Sequence, residues 1–134
     1  MTILTAICGI VIISFDGCEK ANPGTVMVLT DATFDKAIAK GVVLVDFWGA
    51  WCEPCKTQRV IVAEIAAETS GQKGLCIANL DLGFKEAQDK VKHLNLEYVP
   101  TLIVFKKGKP FKTFVGLTQK GPLLEAIEEA RGKR

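Results

Sequence analysis

Val42-Val43-Leu44-Val45-Asp46-Phe47-Trp48-Gly49-Ala50-Trp51-Cys52-Glu53-Pro54-Cys55 is the stretch that decides the fold. Val42 to Trp48 is nearly continuous apolar sequence, the pattern of a strand buried on both faces. After the cysteines, Lys56 to Thr69 carries Val60, Ile61, Ala63, Ile65 and Ala66 at helical spacing and breaks at Ser70-Gly71. Two cysteines separated by two residues therefore sit at a strand-to-helix turn, where backbone N–H groups and the helix dipole favour a thiolate. Without that context a C-x-x-C pair holds a metal as readily as it closes a disulfide ring. Zinc takes four ligands, but the chain has no second closely spaced cysteine pair. Its one histidine, His93, falls on a polar helical segment and reads as a surface residue. No metal is expected.

Outward from this centre the chain punctuates itself clearly. Asn22-Pro23-Gly24 is a turn or linker signal, and Thr25 to Leu29 reads as a first strand. Thr30 or Asp31 can cap a helix running to Lys40, with Phe34, Ala37 and Ile38 on one face and Gly41 as its stop. Leu75 to Leu82 is a further strand, Phe84 to Leu94 a third helix, and Thr101 to Phe105 a strand. Lys107-Gly108-Lys109-Pro110 turns the chain so that Phe111 to Val115 pairs back as a hairpin. Thr118 caps a last amphipathic helix bearing Leu123, Leu124, Ile127 and Ala130. The order β-α-β-α-β-α-β-β-α predicts an α/β fold, a central mixed sheet with helices on both faces.

The chain's 134 residues suffice for one domain with a core and are too few for two. The formal charge of +2 is spread thinly. Lys106, Lys107, Lys109 and Lys112 gather at the hairpin and read as a solvated turn, so no nucleic-acid partner is expected. Cysteines at 8, 18, 52, 55 and 76 are odd in number and irregular in spacing, which argues against a disulfide framework. Cys76, in an apolar run, reads as a buried structural thiol.

Ile3 to Phe15 carries no charge. It is short of the roughly 20 residues of a membrane span and matches the apolar region of about 7–15 residues in a secretory signal. Phe15-Asp16-Gly17-Cys18 followed by a polar stretch resembles a bacterial lipoprotein signal, with Cys18 as the lipidated residue. No Lys or Arg precedes the apolar run, and Asp16 is unusual beside a cleavage site. Residues 1–24 are thus expected to be a leader and linker, and residues 25–134 the domain. Contact with a membrane is expected only through the leader. An extracytoplasmic, anchored location is the first expectation and a cytoplasmic one the alternative.

Over Thr25 to Arg131 the chain resembles the thioredoxin family. The resemblance rests on Val43-Leu44-Val45-Asp46-Phe47-Trp48, Trp51-Cys52-Glu53-Pro54-Cys55-Lys56, Val99-Pro100-Thr101-Leu102 and Val115-Gly116, in this order. It implies the thioredoxin fold and a role for each matching residue. Cys52 would be the exposed nucleophile and Cys55 the shielded resolving thiol. Asp46 would be a buried acid that moves a proton at Cys55. Pro100 would follow a cis peptide bond facing the dithiol, and the backbone of Val99 would pair with an extended substrate segment. Trp48 and Trp51 would flank the site, and Gly116 would line the substrate groove. Elementary chemistry agrees on two points. Pro54 has no N–H to leave unsatisfied in a first helical turn, and a buried aspartate is costly unless hydrogen-bonded or protonated, so its pKa should rise.

The departures from the family pattern are specific. Glu53-Pro54 replaces the usual Gly-Pro and resembles extracytoplasmic thiol reductases serving cytochrome c maturation, although the insertion such proteins carry before the proline is missing. Asn79 stands where a lysine is usual, depriving Asp46 of a charge partner, and Val60 stands where a proline usually kinks the helix. The implied activity is protein disulfide reduction by a monomer, with no bound cofactor beyond the Cys52–Cys55 couple. No G-x-G-x-x-G fingerprint is present, so electrons must come from a thioredoxin reductase or a membrane electron transporter. An oxidase or isomerase, and a binding module whose redox chemistry is incidental, are the alternatives.

Overall fold

The structure, a computed structural model, describes Cys18 and residues 23–132. The Ile3–Phe15 stretch and the export signal read into it lie outside the described residues. The described residues form five strands and four α-helices, in the order β1 (Met27–Leu29), α1 (Phe34–Ile38), β2 (Val42–Trp48), α2 (Glu53–Glu68), β3 (Leu75–Asp81), α3 (Lys85–Lys90), a 3-10 turn (Lys92–Leu94), β4 (Thr101–Lys106), β5 (Lys109–Val115) and α4 (Lys120–Ala130). They form one sheet in the order β1-β3-β2-β4-β5. β3 runs parallel to β1 and β2, and β4 runs antiparallel to β2 and β5. The expected mixed sheet is the one observed.

Strand side chains alternate between faces, and β2 shows this directly. Val43, Val45 and Phe47 enter one core with Phe34, Leu80, Ile103 and Phe105, under α1 and α3. Phe34 meets Phe105 edge-on at 5.8 Å between ring centroids. Val42 and Leu44 enter the other core with Val62, Ile65, Leu102, Val104, Leu123 and Ile127, under α2 and α4. Asp46 has the parity of Leu44, so the sheet itself aims its carboxylate at the α2 face.

Several boundaries differ from the sequence reading. The first helix is a short piece, Phe34–Ile38, because Thr30 to Thr33 fold into a turn in which the Thr30 N–H donates to Thr33 Oγ1 at 2.9 Å. The third divides into Lys85–Lys90 and the 3-10 turn, which ends on Asn95 in the left-handed region at φ 53°. α2 begins at Glu53, three residues earlier than Lys56, so Cys55 lies inside its first turn. Gln119, rather than Thr118, is the N-cap of α4. α1 ends on Ala39 as its C-cap, two residues before the expected stop at Gly41; Gly41 itself has φ +64°, and a Cβ there would come within 2.4 Å of the Gly74 carbonyl oxygen, so only glycine lets these two turns touch.

The cysteines require a larger correction. Cys18 and Cys76 form a disulfide, with Cα atoms 5.6 Å apart, inside the usual range for such a bridge. Cys76 is therefore not a free buried thiol. The Cys18 sulfur, assigned from sequence to a lipid thioether, is instead bonded to β3; one sulfur cannot carry both. The odd cysteine count hid this pair, since spacing along the chain says nothing about two positions 58 residues apart that the sheet brings together.

Candidate active site

The site lies at the carboxyl end of β2, where the chain leaves the sheet and enters α2. Cys52 is the N-cap of α2, in an extended conformation, and its Sγ accepts the Cys55 backbone N–H at 3.2 Å. Sulfur thus occupies the place where Ser or Asp usually satisfies the first free amides of a helix. Pro54 follows in the first turn, where its missing N–H is no loss. Cys52 and Cys55 are joined as a disulfide, so both sulfurs of the C-x-x-C pair are committed to each other. The two differ in access: Cys52 is 7% exposed and Cys55 1%.

Asp46 is wholly buried, and neither carboxylate oxygen has a hydrogen-bond partner among the described residues. Burial raises its pKa from 3.8 to about 7, against a smaller downward pull from the Arg59 guanidinium. On β3 its register partner is Asn79, whose Oδ1 is also buried and unpartnered among the described residues; on β4 it is Leu102. Arg59 stands one turn beyond Cys55, its Cζ 4.5 Å from the centre of the Trp48 ring.

The second wall comes from the loop before β4. The Val99–Pro100 peptide bond is cis, as the resemblance implies. The Val99 carbonyl oxygen lies 3.5 Å from Cys52 Sγ. Gly116 is held alongside by its N–H donating to the Pro100 carbonyl at 2.8 Å. Trp51 is 66% exposed and its ring lies against Gly49, where a Cβ would fall within 2.5 Å of ring carbons, so glycine leaves the indole its seat. A cavity of about 860 Å³ opens beside the disulfide, lined by Trp51, Cys52, Pro54, Leu82, Tyr98 and Val99. Glu53 and Lys56 pair at 3.3 Å on the exposed face of α2, so the unusual carboxylate between the cysteines faces a cation.

The structure thus gathers Asp46, Trp48, Trp51, Cys52, Cys55, Val99, Pro100 and Gly116 at one end of the sheet. Cys18 stands apart, at the β3 edge of the other core cluster. Sequence reasoning passed over Gln58. Its fully buried amide donates to the Thr118 carbonyl at 2.9 Å and accepts the Thr118 N–H at 2.7 Å, fastening α2 to the loop that carries Gly116. The helical spacing of Cys55, Gln58, Val62 and Ile65 could have exposed it as inward-facing.

The family model for thioredoxin matches residues 25–129. Thioredoxin of Staphylococcus aureus (strain Mu50 / ATCC 700699) is 36% identical over 104 residues, covering 78% of this chain and 96% of the relative. Among solved structures, spinach chloroplast thioredoxin f in its long form has a TM-score of 0.72 at 27% identity, covering 83% of this chain and 90% of that one. A mutant thioredoxin from Halobacterium salinarum NRC-1 has a TM-score of 0.70 at 27% identity, covering 84% of this chain and 96% of that one. A helix-capping disulfide over a buried acid, on a sheet that these relatives share nearly end to end, makes this chain a thiol-disulfide oxidoreductase of the thioredoxin family.

Proposed function

We propose that the protein works as a reductase of protein disulfides in which Cys52 attacks and Cys55 resolves. The observation that carries the assignment of roles is the difference in access: Cys52 borders the open cavity, while Cys55 lies beneath it. In the reduced protein the Cys52 thiolate, stabilised by the Cys55 N–H and the helix terminus, attacks one sulfur of a client disulfide. A mixed disulfide forms and one client thiolate leaves. Cys55 gives its proton to Asp46 and attacks Cys52 Sγ, which expels the second client thiolate and closes the Cys52–Cys55 bond seen here. Two electrons from a partner reductase reopen it. Trp51 and Tyr98 flank the cavity as an apolar seat for the client. The backbone of Val99 pairs with an extended client strand, while Pro100 and Gly116 keep the groove narrow and free of long side chains. Cys55→Ser tests this: it should trap clients as mixed disulfides on Cys52, and Cys52→Ser should trap none. Equal capture by both variants would overturn the assignment. A redox potential well above the glutathione couple would contradict the reducing direction.

The workplace proposed is outside the cytoplasm. The apolar Ile3–Phe15 stretch supports it, and so does the Cys18–Cys76 bridge, since structural disulfides persist in oxidising compartments. There a membrane electron transporter would be the donor; in a cytoplasmic setting a thioredoxin reductase would be. Cell fractionation with thiol trapping, followed by mass spectrometry, should find a Cys18–Cys76 linked peptide in the extracytoplasmic fraction. Free thiols at both positions in a cytoplasmic pool would refute this address, and a lipid on Cys18 would refute the bridge.

A further inference from the structure

Among the described residues Asp46 is the one fully buried charged side chain at the site, and its electrostatic surroundings can be enumerated element by element. β3 brings Asn79, uncharged, at its register position, and Asp81 at the strand end, whose carboxylate accepts the Gly83 N–H at 2.8 Å. β4 brings Leu102 and α4 brings Leu123 to the same core. Lys120, at the start of α4, is engaged by Glu64 and Glu68. α2 brings Cys55, closed in its disulfide, and Arg59. Arg59 is placed by two constraints. It sits four residues after Cys55, so it shares that residue's side of the helix. Its guanidinium also rests 4.5 Å from the centre of the Trp48 ring, a cation–π distance. Trp48 follows Asp46 by two residues on the same strand and so on the same face. An exposed arginine is thereby held where its charge reaches a carboxylate that has no hydrogen bond of its own among the described residues.

We propose that Arg59 is a positioning residue for the dithiol chemistry: its guanidinium, braced on the Trp48 indole, is the cation that keeps the Asp46 carboxylate available as a proton acceptor for Cys55. This rests on the proton-transfer role given to Asp46 above. The planar, delocalised guanidinium suits the task, because it stacks on an aromatic face and stays charged at every working pH. The arrangement supplies from the helix the positive charge that β3, with Asn79, does not supply from the sheet.

Carbon-13 NMR titration of the aspartate carboxyl groups in the oxidised protein reads Asp46 directly, without reference to activity. Arg59→Met should strengthen proton binding at Asp46 about tenfold, one unit of midpoint, while Arg59→Lys should stay within about twofold of wild type because the charge remains. Raising the salt concentration should move the wild-type midpoint upward by screening Arg59, and leave Arg59→Met in place. A change under about twofold in Arg59→Met, or an equal salt response in both proteins, overturns the proposal. A second readout separates this inference from the one beneath it: resolution of a Cys52 mixed disulfide at neutral pH should slow in Arg59→Met. A shifted Asp46 midpoint with unchanged resolution would refute the proton-acceptor role of Asp46, and the positioning role of Arg59 with it.

Discussion

Replacing Asp46 with Asn should make the oxidised protein more stable at alkaline pH and nearly indifferent at acid pH. In the folded protein Asp46 holds its proton up to about pH 7, whereas an unfolded chain releases it near 3.8. Between those values the native state binds more protons than the unfolded state, so stability falls as pH rises through the window and levels off above it. The full displacement, at about 1.36 kcal/mol per unit, amounts to about 4 kcal/mol. About 2.5 kcal/mol of it falls between about pH 5 and pH 8. Asparagine fits the same space and carries no charge at any pH. Other titrating groups act alike in both proteins and cancel in the comparison. Using the oxidised form removes the Cys52 and Cys55 thiols from the titration. Denaturant unfolding at about pH 5 and pH 8, with equal m-values as the check on two-state behaviour, should show the Asp46→Asn advantage growing by about 2.5 kcal/mol. A gap that is the same at both pH values would refute the claim that burial holds Asp46 protonated, and the claim that it can accept a proton from Cys55 near neutrality.

Two further outcomes follow from features away from the dithiol. Gln58→Ala removes both hydrogen bonds to the Thr118 backbone and leaves that part-buried amide and carbonyl without their partner. The expected cost is about 2–4 kcal/mol, read by denaturant unfolding, with lower client affinity because the Gly116 loop is released. Cys76→Ser opens the bridge across a 58-residue separation. Chain entropy then gives a loss of about 4 kcal/mol, measured as a gap between oxidised wild type and variant that closes when both are fully reduced.

The sheet, the dithiol and the buried acid were legible because each has a signal in one short stretch. A run from Val42 to Trp48 with one acid in it reads as a central strand with a purpose, and the cysteines stand at its end. The cis bond before Pro100 could be anticipated only through the resemblance, since nothing in the local residues sets the isomer. Gln58, Arg59 and the Cys18–Cys76 bridge were not anticipated, for a common reason. Their meaning depends on partners far along the chain or across the sheet: Thr118 for Gln58, Trp48 for Arg59, and β3 for Cys18. The helix boundaries moved where local hydrogen bonds competed with the hydrophobic pattern, as at Thr30 to Thr33.

The two outer strands have a consequence for what the protein can safely handle. β1 is three residues long, and β5 carries Lys109, Pro110 and Lys112 beside an irregularity in its pairing at Val104/Phe105. Short length, proline, lysine and a bulge are each ways of making a sheet edge unreceptive to another chain. On the function proposed above, a client presents an extended strand whose unpaired backbone could join an open sheet edge. Margins of this kind decline that invitation, so on the proposed function a client strand would be held only at the Val99 backbone and let go, and the sheet's edges would not seed aggregation of the clients.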